Sequence, residues 1–440
     1  MCEWLEFEQS PERMRTLLMQ GLPGRLSPFL FLSVPGISAS EQRVCSELWI
    51  RDRNTASVSE RNNLAFRFTL ETRDKLRVGY LSNDFHDHAT SRLLVETLET
   101  HDRARFEVHA FSFGFDHGGP MRRRVCEAVD IFHDIALLSD TDAARAIHGA
   151  GIDILLDLKG YTRGARTGIM MLHPAPVQVN YLGYPGTLGA DICDYIITDP
   201  FITPMAAAAD YAEAFAYMPH SYQPHSRRNA IGRKPTRDEA GLPETGFVFS
   251  CFNQAYKLTP PSFDLWCRLL EATPGSVLWL LANERAQGNL RNEALQRGIR
   301  PDRLVFAPEM AQQDHLARLQ LADLVLDTSP FGAHTTASDA LWSGVPIVTC
   351  PGDTFPSRVA GSLLKAAGLS ELITADVDEY FTVASSLAMT PDLLAGCKAK
   401  LNHIDVPLFD VVAYTKSLEN LFEVMWERCR TGTAPVAIWG

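Results

Sequence analysis

Residues Leu321 to Gly352 read LADLVLDTSPFGAHTTASDALWSGVPIVTCPG. The apolar run LVLDT predicts a strand and the Ser, Pro and Gly after it a loop. His334, Thr335 and Thr336 then open a helix whose apolar face holds Ala340, Leu341 and Trp342, before a second strand at VPIVTC. Strand, loop, helix and strand in this order make one unit of a parallel α/β sheet. A helix start at such a place presents free N–H groups and the positive end of its dipole to an anion, and the two threonines add hydroxyl donors, which suits a pyrophosphate. The same letters equally describe a helix capped by Thr335 or Thr336. Asp339, a few residues further in, fits a ribose hydroxyl or simply complements the dipole.

Outward from this stretch the alternation repeats. From Gly246 it is preceded by FVFSCFN, SVLWLLAN and RLVFAP, separated by helical patterns such as PPSFDLWCRLLEAT and DHLARLQLAD. From Lys75 a separate series runs LRVGYLS, FEVHAFSF, IDILLDL, VQVNYLGY, YIITD and FAYMP. Between the two lies a polar, basic, turn-rich stretch without apolar periodicity, Ser221 to Glu244. The predicted organisation is therefore an α/β protein with a short helical N-terminal segment over 1–72, a Rossmann-like domain over 73–220, a linker over 221–245 and a second Rossmann-like domain over 246–440, the two domains facing a cleft. In the first segment, Pro11 to Gly21 and Gln42 to Trp49 carry helical spacing, and the polar stretch RDRNTASVSERNN follows. GT-B glycosyltransferases, phosphorylases, epimerases and periplasmic-type binding proteins all share such a layout, and fold alone does not choose among them.

Composition narrows the classes. The 440 residues, 46% of them hydrophobic and 21% charged, exceed what one hydrophobic core serves and suit two large domains. A net charge of −12 argues against general binding to nucleic acid or to an anionic membrane. Nine scattered cysteines without a C-x-x-C pair read as reduced thiols of a cytoplasmic protein. The start MCEWLEFEQSPER lacks a signal peptide's basic and apolar regions, and the longest apolar run, FLFLSV at Phe29 to Val34, is too short to span a bilayer. Neither G-x-G-x-x-G nor G-x-x-x-x-G-K-[ST] occurs, so a standard dinucleotide fold and a P-loop ATPase have no support.

Other residues capable of chemistry sit where strands end. Gln254 and Lys257 follow FVFSCFN, at the carboxyl edge where open α/β sheets bind ligands, and a cation there can neutralise a leaving diphosphate or be an ordinary surface lysine. Asp84, His86, Asp87 and His88 follow LRVGYLS; the histidines suit a base, an acceptor-orienting group or, with the acids, half of a metal site that has no second cluster. Asp116 and His117 follow the next strand and are base candidates or plain loop residues. Asp157 to Ala190, rich in Gly, Pro and Tyr, suits a backbone shaped around a ligand or a set of tight turns. The D-x-D pairs Asp140 with Asp142 and Asp376 with Asp378 lie at predicted helix starts and read as caps rather than metal ligands.

Taken together, RVGYLSNDFHDHATSRLL, LKGYTRGAR to HPAPVQVNYLGYPGT, DYIITD, AYMPHSY, CFNQAYKL, LDTSPFGAHTTASDALWSGVPIVT and PGDTFPSRVAGSLL make the chain resemble the O-GlcNAc transferase and SPINDLY family, from about Cys2 to Glu427. These are inverting GT-B enzymes that move a sugar from a nucleotide donor to Ser or Thr of proteins. The resemblance implies that Gln254 and Lys257 meet the diphosphate, that His334, Thr335 and Thr336 hold the phosphates, that Asp339 holds the ribose and that His315 lies on the uracil side. It makes His88 the base or acceptor-orienting residue, puts Asp116 near a residue proposed for the same task, and places Leu182 and Gly183 in the sugar pocket. Arg163 stands where the family often has lysine, keeping the charge but changing its shape. The implied activity is metal-independent, with UDP-GlcNAc as donor, no further cofactor, a protein or peptide acceptor, and neither nucleic acid nor membrane as partner. A GDP-fucose-dependent transferase and a catalytically silent nucleotide-sugar-binding scaffold are the competing readings. Family members usually carry tetratricopeptide repeats ahead of this region, and no such 34-residue period is read in this chain.

Overall fold

The computed structural model describes residues 2–22, 24–115, 118–189, 191–401 and 406–440, without the side chains of 52–56. Each apolar run read above as a strand becomes one, and IFHD adds a strand that was not read. In the first series these are β1 (Leu76–Ser82), β2 (Phe106–Ser112), β3 (Ile131–Asp134), β4 (Ile154–Asp157), β5 (Val177–Asn180), β6 (Tyr195–Thr198) and β7 (Ala214–Tyr217). The second series is β8 (Val248–Cys251), β9 (Val277–Leu281), β10 (Leu304–Ala307), β11 (Leu324–Leu326) and β12 (Ile347–Val348), with β13 (Ile438–Trp439) at the end of the chain. The paired strands run parallel throughout. Strands covered on both faces need apolar residues at every position, and β4 and β8 are indeed buried along their whole length.

The chain divides into two compact units. One holds Glu12–Leu32, Ile37–Arg227 and Leu408–Gly440; the other holds Met1–Pro11, Ser33–Gly36 and Arg228–Pro407. The first unit carries the sheet of order β13-β7-β6-β5-β4-β1-β2-β3. The chain winds outward from β1 toward β3, then returns to the other side of β1 at β4, so the direction reverses between β1 and β4. The second unit carries the order β10-β9-β8-β11-β12, with the reversal between β8 and β11. In doubly wound sheets the loops at the carboxyl ends of such a strand pair splay apart and leave a crevice for ligands.

Two further features differ from the sequence reading. The helix that starts near Gln42 runs from Ala39 to Leu64, through the polar stretch. Its start is held by a capping box, with the Ser38 hydroxyl accepting from Glu41 N and the Glu41 carboxylate from Ser38 N, and polar residues propagate a helix once it is nucleated. Residues 408–440, read as part of the second domain, belong with the first unit instead. There the helix Val411–Arg430 is tied down by Tyr414, whose hydroxyl donates to Tyr222 O at 2.5 Å and meets Tyr181 Oη at 2.6 Å. Among the described residues, no helix is long and apolar enough to cross a membrane.

Candidate active site

At the reversal of the second sheet, β8 and β11 deliver most of the residues singled out there. Lys257 ends a short 3-10 turn, Ala255–Lys257, that follows β8. Its Nζ donates to Gly332 O at 2.8 Å and lies 4.1 Å from the centre of the Phe331 ring. Burial lowers its pKa to about 8, with Asp327 pulling the other way. His334 occupies the N-cap position of the helix Thr335–Trp342, and no side-chain hydrogen bond caps that helix. Thr335 and Thr336 are thus the first two helical residues rather than the cap. Burial pushes His334 down to about 3, reinforced by Lys257, so its ring is neutral and its Nε2–H donates to Pro356 O at 3.1 Å.

Two residues that the sequence did not single out organise this group. Asp327, directly after β11, accepts from Thr328 N at 2.8 Å, Ala333 N at 2.6 Å and Thr349 Oγ1 at 2.7 Å. Burial still raises its carboxyl to about 6. Asn253, after β8, accepts the Thr336 hydroxyl at 2.5 Å and donates to Thr328 Oγ1 at 2.8 Å. An acid at the carboxyl end of a buried parallel strand was a usable signal for Asp327; the Asn253 contact joins positions too far apart for any spacing rule. Gln254 is exposed at the N-cap of the lysine's turn, where its carbonyl accepts Lys257 N at 2.9 Å. His315, on the helix Gln312–Leu319, packs edge-on against Phe252 with ring centres 5.2 Å apart and accepts from Arg318 Nε at 3.1 Å. Asp339 is buried one turn into its helix.

At the reversal of the first sheet, β1 and β4 bring a second group together. His88 is the N-cap of the helix Ala89–Thr100, its Nδ1 accepting from Thr90 N at 3.2 Å. Asp84 Oδ2 lies 3.4 Å from the same nitrogen and 2.7 Å from Lys159 Nζ, which comes from the turn after β4. Burial lowers the His88 pKa, and Asp84 opposes that shift. Arg163 is exposed further along the turn after β4. After β5, Leu182 holds a φ of 67°, a left-handed conformation that costs a side-chain-bearing residue about 1–3 kcal/mol and concentrates at functional sites. A Cβ added to Gly183 would run into the Leu158 carbonyl, so the loops after β4 and β5 touch only because that position is glycine. Asp116 and His117 lie outside the described residues.

The D-x-D pairs are engaged in helix starts. Asp376 caps the helix Val377–Met389 by accepting from Asp378 N and Glu379 N. Asp140 and Asp142 occupy the first turn of a helix whose cap is Ser139, and they pair with Arg166 and Arg145. Among the described residues, no group of three or more His, Cys, Asp or Glu side chains is arranged to hold a metal ion.

Comparison with known proteins bears on the family. The family model for glycosyl transferase family 41 matches residues 52–231 and 232–418. A probable UDP-N-acetylglucosamine–peptide N-acetylglucosaminyltransferase of Arabidopsis thaliana is 37% identical over 371 residues, covering 82% of this chain and 38% of the plant protein. The UDP-N-acetylglucosamine–peptide N-acetylglucosaminyltransferase of Caenorhabditis elegans is 30% identical, covering 84% and 42%. The chain thus spans less than half the length of these curated relatives. Among solved structures, a variant of the Thermobaculum terrenum O-GlcNAc transferase superposes with a TM-score of 0.83 at 28% identity, covering 92% of this chain and 77% of that one. With the family model matched across both units and GT-B architecture in that structural neighbour, the chain belongs to glycosyl transferase family 41.

Proposed function

We propose that this protein transfers N-acetylglucosamine from UDP-N-acetylglucosamine to serine and threonine hydroxyls of proteins, with inversion at the anomeric carbon and without a metal ion or further cofactor. One observation carries the reading: Lys257 and the His334–Thr336 helix start are bound into one group at the β8/β11 reversal, through Gly332 O on one side and Asn253 on the other. The names of the relatives supply the donor and the acceptor class.

In the displacement, the acceptor oxygen attacks the anomeric carbon, the bond to the β-phosphate oxygen breaks, and its electron pair leaves with UDP. Negative charge therefore grows on the diphosphate. The Lys257 ammonium, the Thr335 hydroxyl and the amides of the helix start stabilise that charge more in the transition state than in the ground state, and they do so from fixed positions, with the Thr336 hydroxyl anchoring the helix start through its bond to Asn253. Gln254 assists at the diphosphate, Asp339 at the ribose and His315 on the uracil side. Leu182, Gly183 and Arg163 serve the sugar side, and His88 contacts the acceptor hydroxyl.

The test is mass-spectrometric detection of transfer to a cell lysate and to Ser/Thr peptides, with UDP-GlcNAc, UDP-glucose and GDP-fucose offered in parallel. N-acetylhexosamine on serine or threonine, from UDP-GlcNAc alone, is the expected product. Deoxyhexose transfer from GDP-fucose would overturn the donor assignment, and no transfer from any donor would favour a silent scaffold.

A further inference from the structure

Lys159 has no part in the roles assigned so far, yet it is one of the least exposed cations of the protein, at 5%. Asp157 fixes its backbone, accepting from Lys159 N at 2.9 Å and Gly160 N at 3.1 Å. Its ammonium is thereby delivered to Asp84, likewise 5% exposed, at 2.7 Å. The Asp84 backbone is held in turn, its N–H donating to Ser82 Oγ at 3.0 Å and its carbonyl accepting Ser91 Oγ at 2.6 Å.

The same Asp84 oxygen lies 3.4 Å from His88 Nδ1, and that nitrogen accepts the Thr90 N–H. A ring nitrogen that accepts a hydrogen bond carries no hydrogen, so its lone pair faces a carboxylate that can only accept. That arrangement persists only if another group takes up the carboxylate. Without the ammonium, Asp84 would draw a proton onto Nδ1 and leave Nε2 bare, the form in which an acid-backed histidine acts as a base.

We propose that Lys159 is a positioning residue: by engaging the Asp84 carboxylate it keeps His88 neutral with its proton on Nε2, so that His88 meets the acceptor hydroxyl as a hydrogen-bond donor and not as a base. The consequence for the acceptor rests on the transferase reading; the tautomer does not. Apart from Asp84, the charged and titratable groups around the ring act in the same sense. Besides its burial, Lys159 from the turn after β4, His86 at 5.7 Å between ring centres, and Arg92 on its own helix all disfavour the imidazolium, while Asp84 favours it; Arg92 is itself paired with Asp87 at 2.8 Å. The acceptor proton then passes to a phosphate oxygen of the departing diphosphate, which gains basicity as the glycosidic bond breaks.

Long-range ¹H–¹⁵N correlation spectra of the full chain labelled at histidine test this, with His88→Ala identifying the signal. Wild type should show the Nε2–H pattern at neutral pH. Lys159→Met should shift His88 toward the Nδ1–H pattern and raise its titration midpoint by about one pH unit or more. In Lys159→Met, kcat/KM should fall at neutral pH and recover as pH drops through the raised midpoint, because protonation returns a hydrogen to Nε2, and Lys159→Arg should keep the wild-type spectrum and rate. If Lys159→Met does not fold, Asp84→Asn combined with Lys159→Met removes both charges and should keep Nε2–H, because Thr90 still donates. An Nδ1–H pattern in wild type or in the double variant overturns the proposal, as does a folded Lys159→Met protein with an unchanged tautomer and midpoint. Absence of transfer alongside the expected spectra would instead strike the transferase reading.

Discussion

The Thr336 hydroxyl donates to Asn253 Oδ1 at 2.5 Å, and the amide of the same Asn253 donates to Thr328 Oγ1 at 2.8 Å. One side chain from the end of β8 thus fixes both ends of the loop that leads into the Thr335 helix. Asn253→Ala leaves the two threonine hydroxyls without these bonds in a region where Asn253 itself is 3% exposed. The expected cost is about 1–3 kcal/mol of stability, with weaker UDP binding. Denaturant unfolding and titration calorimetry read the two effects separately; UDP affinity equal to wild type would show that the helix start is held in place by other contacts.

Lys257 should place a basic limb on the pH profile. With its pKa lowered to about 8, the free enzyme loses the ammonium as pH rises through that value, and kcat/KM should fall there. Lys257→Arg should move the limb upward. Lys257→Met should remove it and lower kcat/KM by about 10²–10³. Stability should respond in the opposite sense. The folded pKa lies below the ordinary 10.5, so folding burdens the charged form, and that burden is present below pH 8 and relieved as pH climbs toward 10.5. Lys257→Met should therefore unfold at a higher temperature than wild type at neutral pH.

Chelation should leave transfer intact. The acids of the D-x-D pairs are bonded to helix-start amides or paired with arginines, which leaves them poorly disposed to bind a diphosphate-bound cation. Initial rates in excess EDTA should match those in Mg²⁺ within about twofold, whereas loss on chelation restored by Mn²⁺ would rule out the metal-independent mechanism.

What the sequence revealed follows from how each element is buried. Doubly covered strands such as β4 and β8 are continuous apolar runs, and the runs alternate with helical patterns, so both sheets were legible. The edge strand β3 was not: IFHD exposes Ile131 at 43% and carries two polar residues, so it has neither the run nor the alternation of a strand. Lys257, His88 and the His334 loop stood out because they follow strands whose carboxyl ends form binding edges. The contacts that orient them join Asn253 to Thr336 and Asp84 to Lys159, positions 83 and 75 apart, and these appear only when strand order is known. The helix Val411–Arg430 shows the same limit: its apolar face demands a partner, but nothing in its spacing says that the partner is the unit of β1 to β7.

That last docking rests on His101, and it sets an acid limit to stability. The His101 ring, 3% exposed, meets Tyr80 Oη through Nε2 at 2.7 Å and Glu419 Oε1 through Nδ1 at 2.9 Å, and Asp102 N also donates to Glu419 Oε1 at 2.8 Å. A carboxylate only accepts, so Nδ1 carries the proton and the Tyr80 hydroxyl donates to Nε2. Burial lowers the His101 pKa below the ordinary 6.5, opposed by Glu419. A folded pKa below the unfolded one means that the unfolded chain binds more protons in this range, so stability is fully present above pH 6.5 and is lost as pH falls below it. His101→Phe keeps the bulk but strands Tyr80 and Glu419, and should cost about 3 kcal/mol while flattening the acid slope. Glu419→Gln preserves both acceptor contacts and should cost only about 1 kcal/mol at neutral pH. Without the carboxylate, however, the histidine is harder still to protonate in the fold, so the acid loss of stability should extend to lower pH than in wild type. Thermal unfolding of the three proteins between pH 5 and 8 decides this; parallel pH profiles for wild type and His101→Phe would mean that another group sets the acid limit.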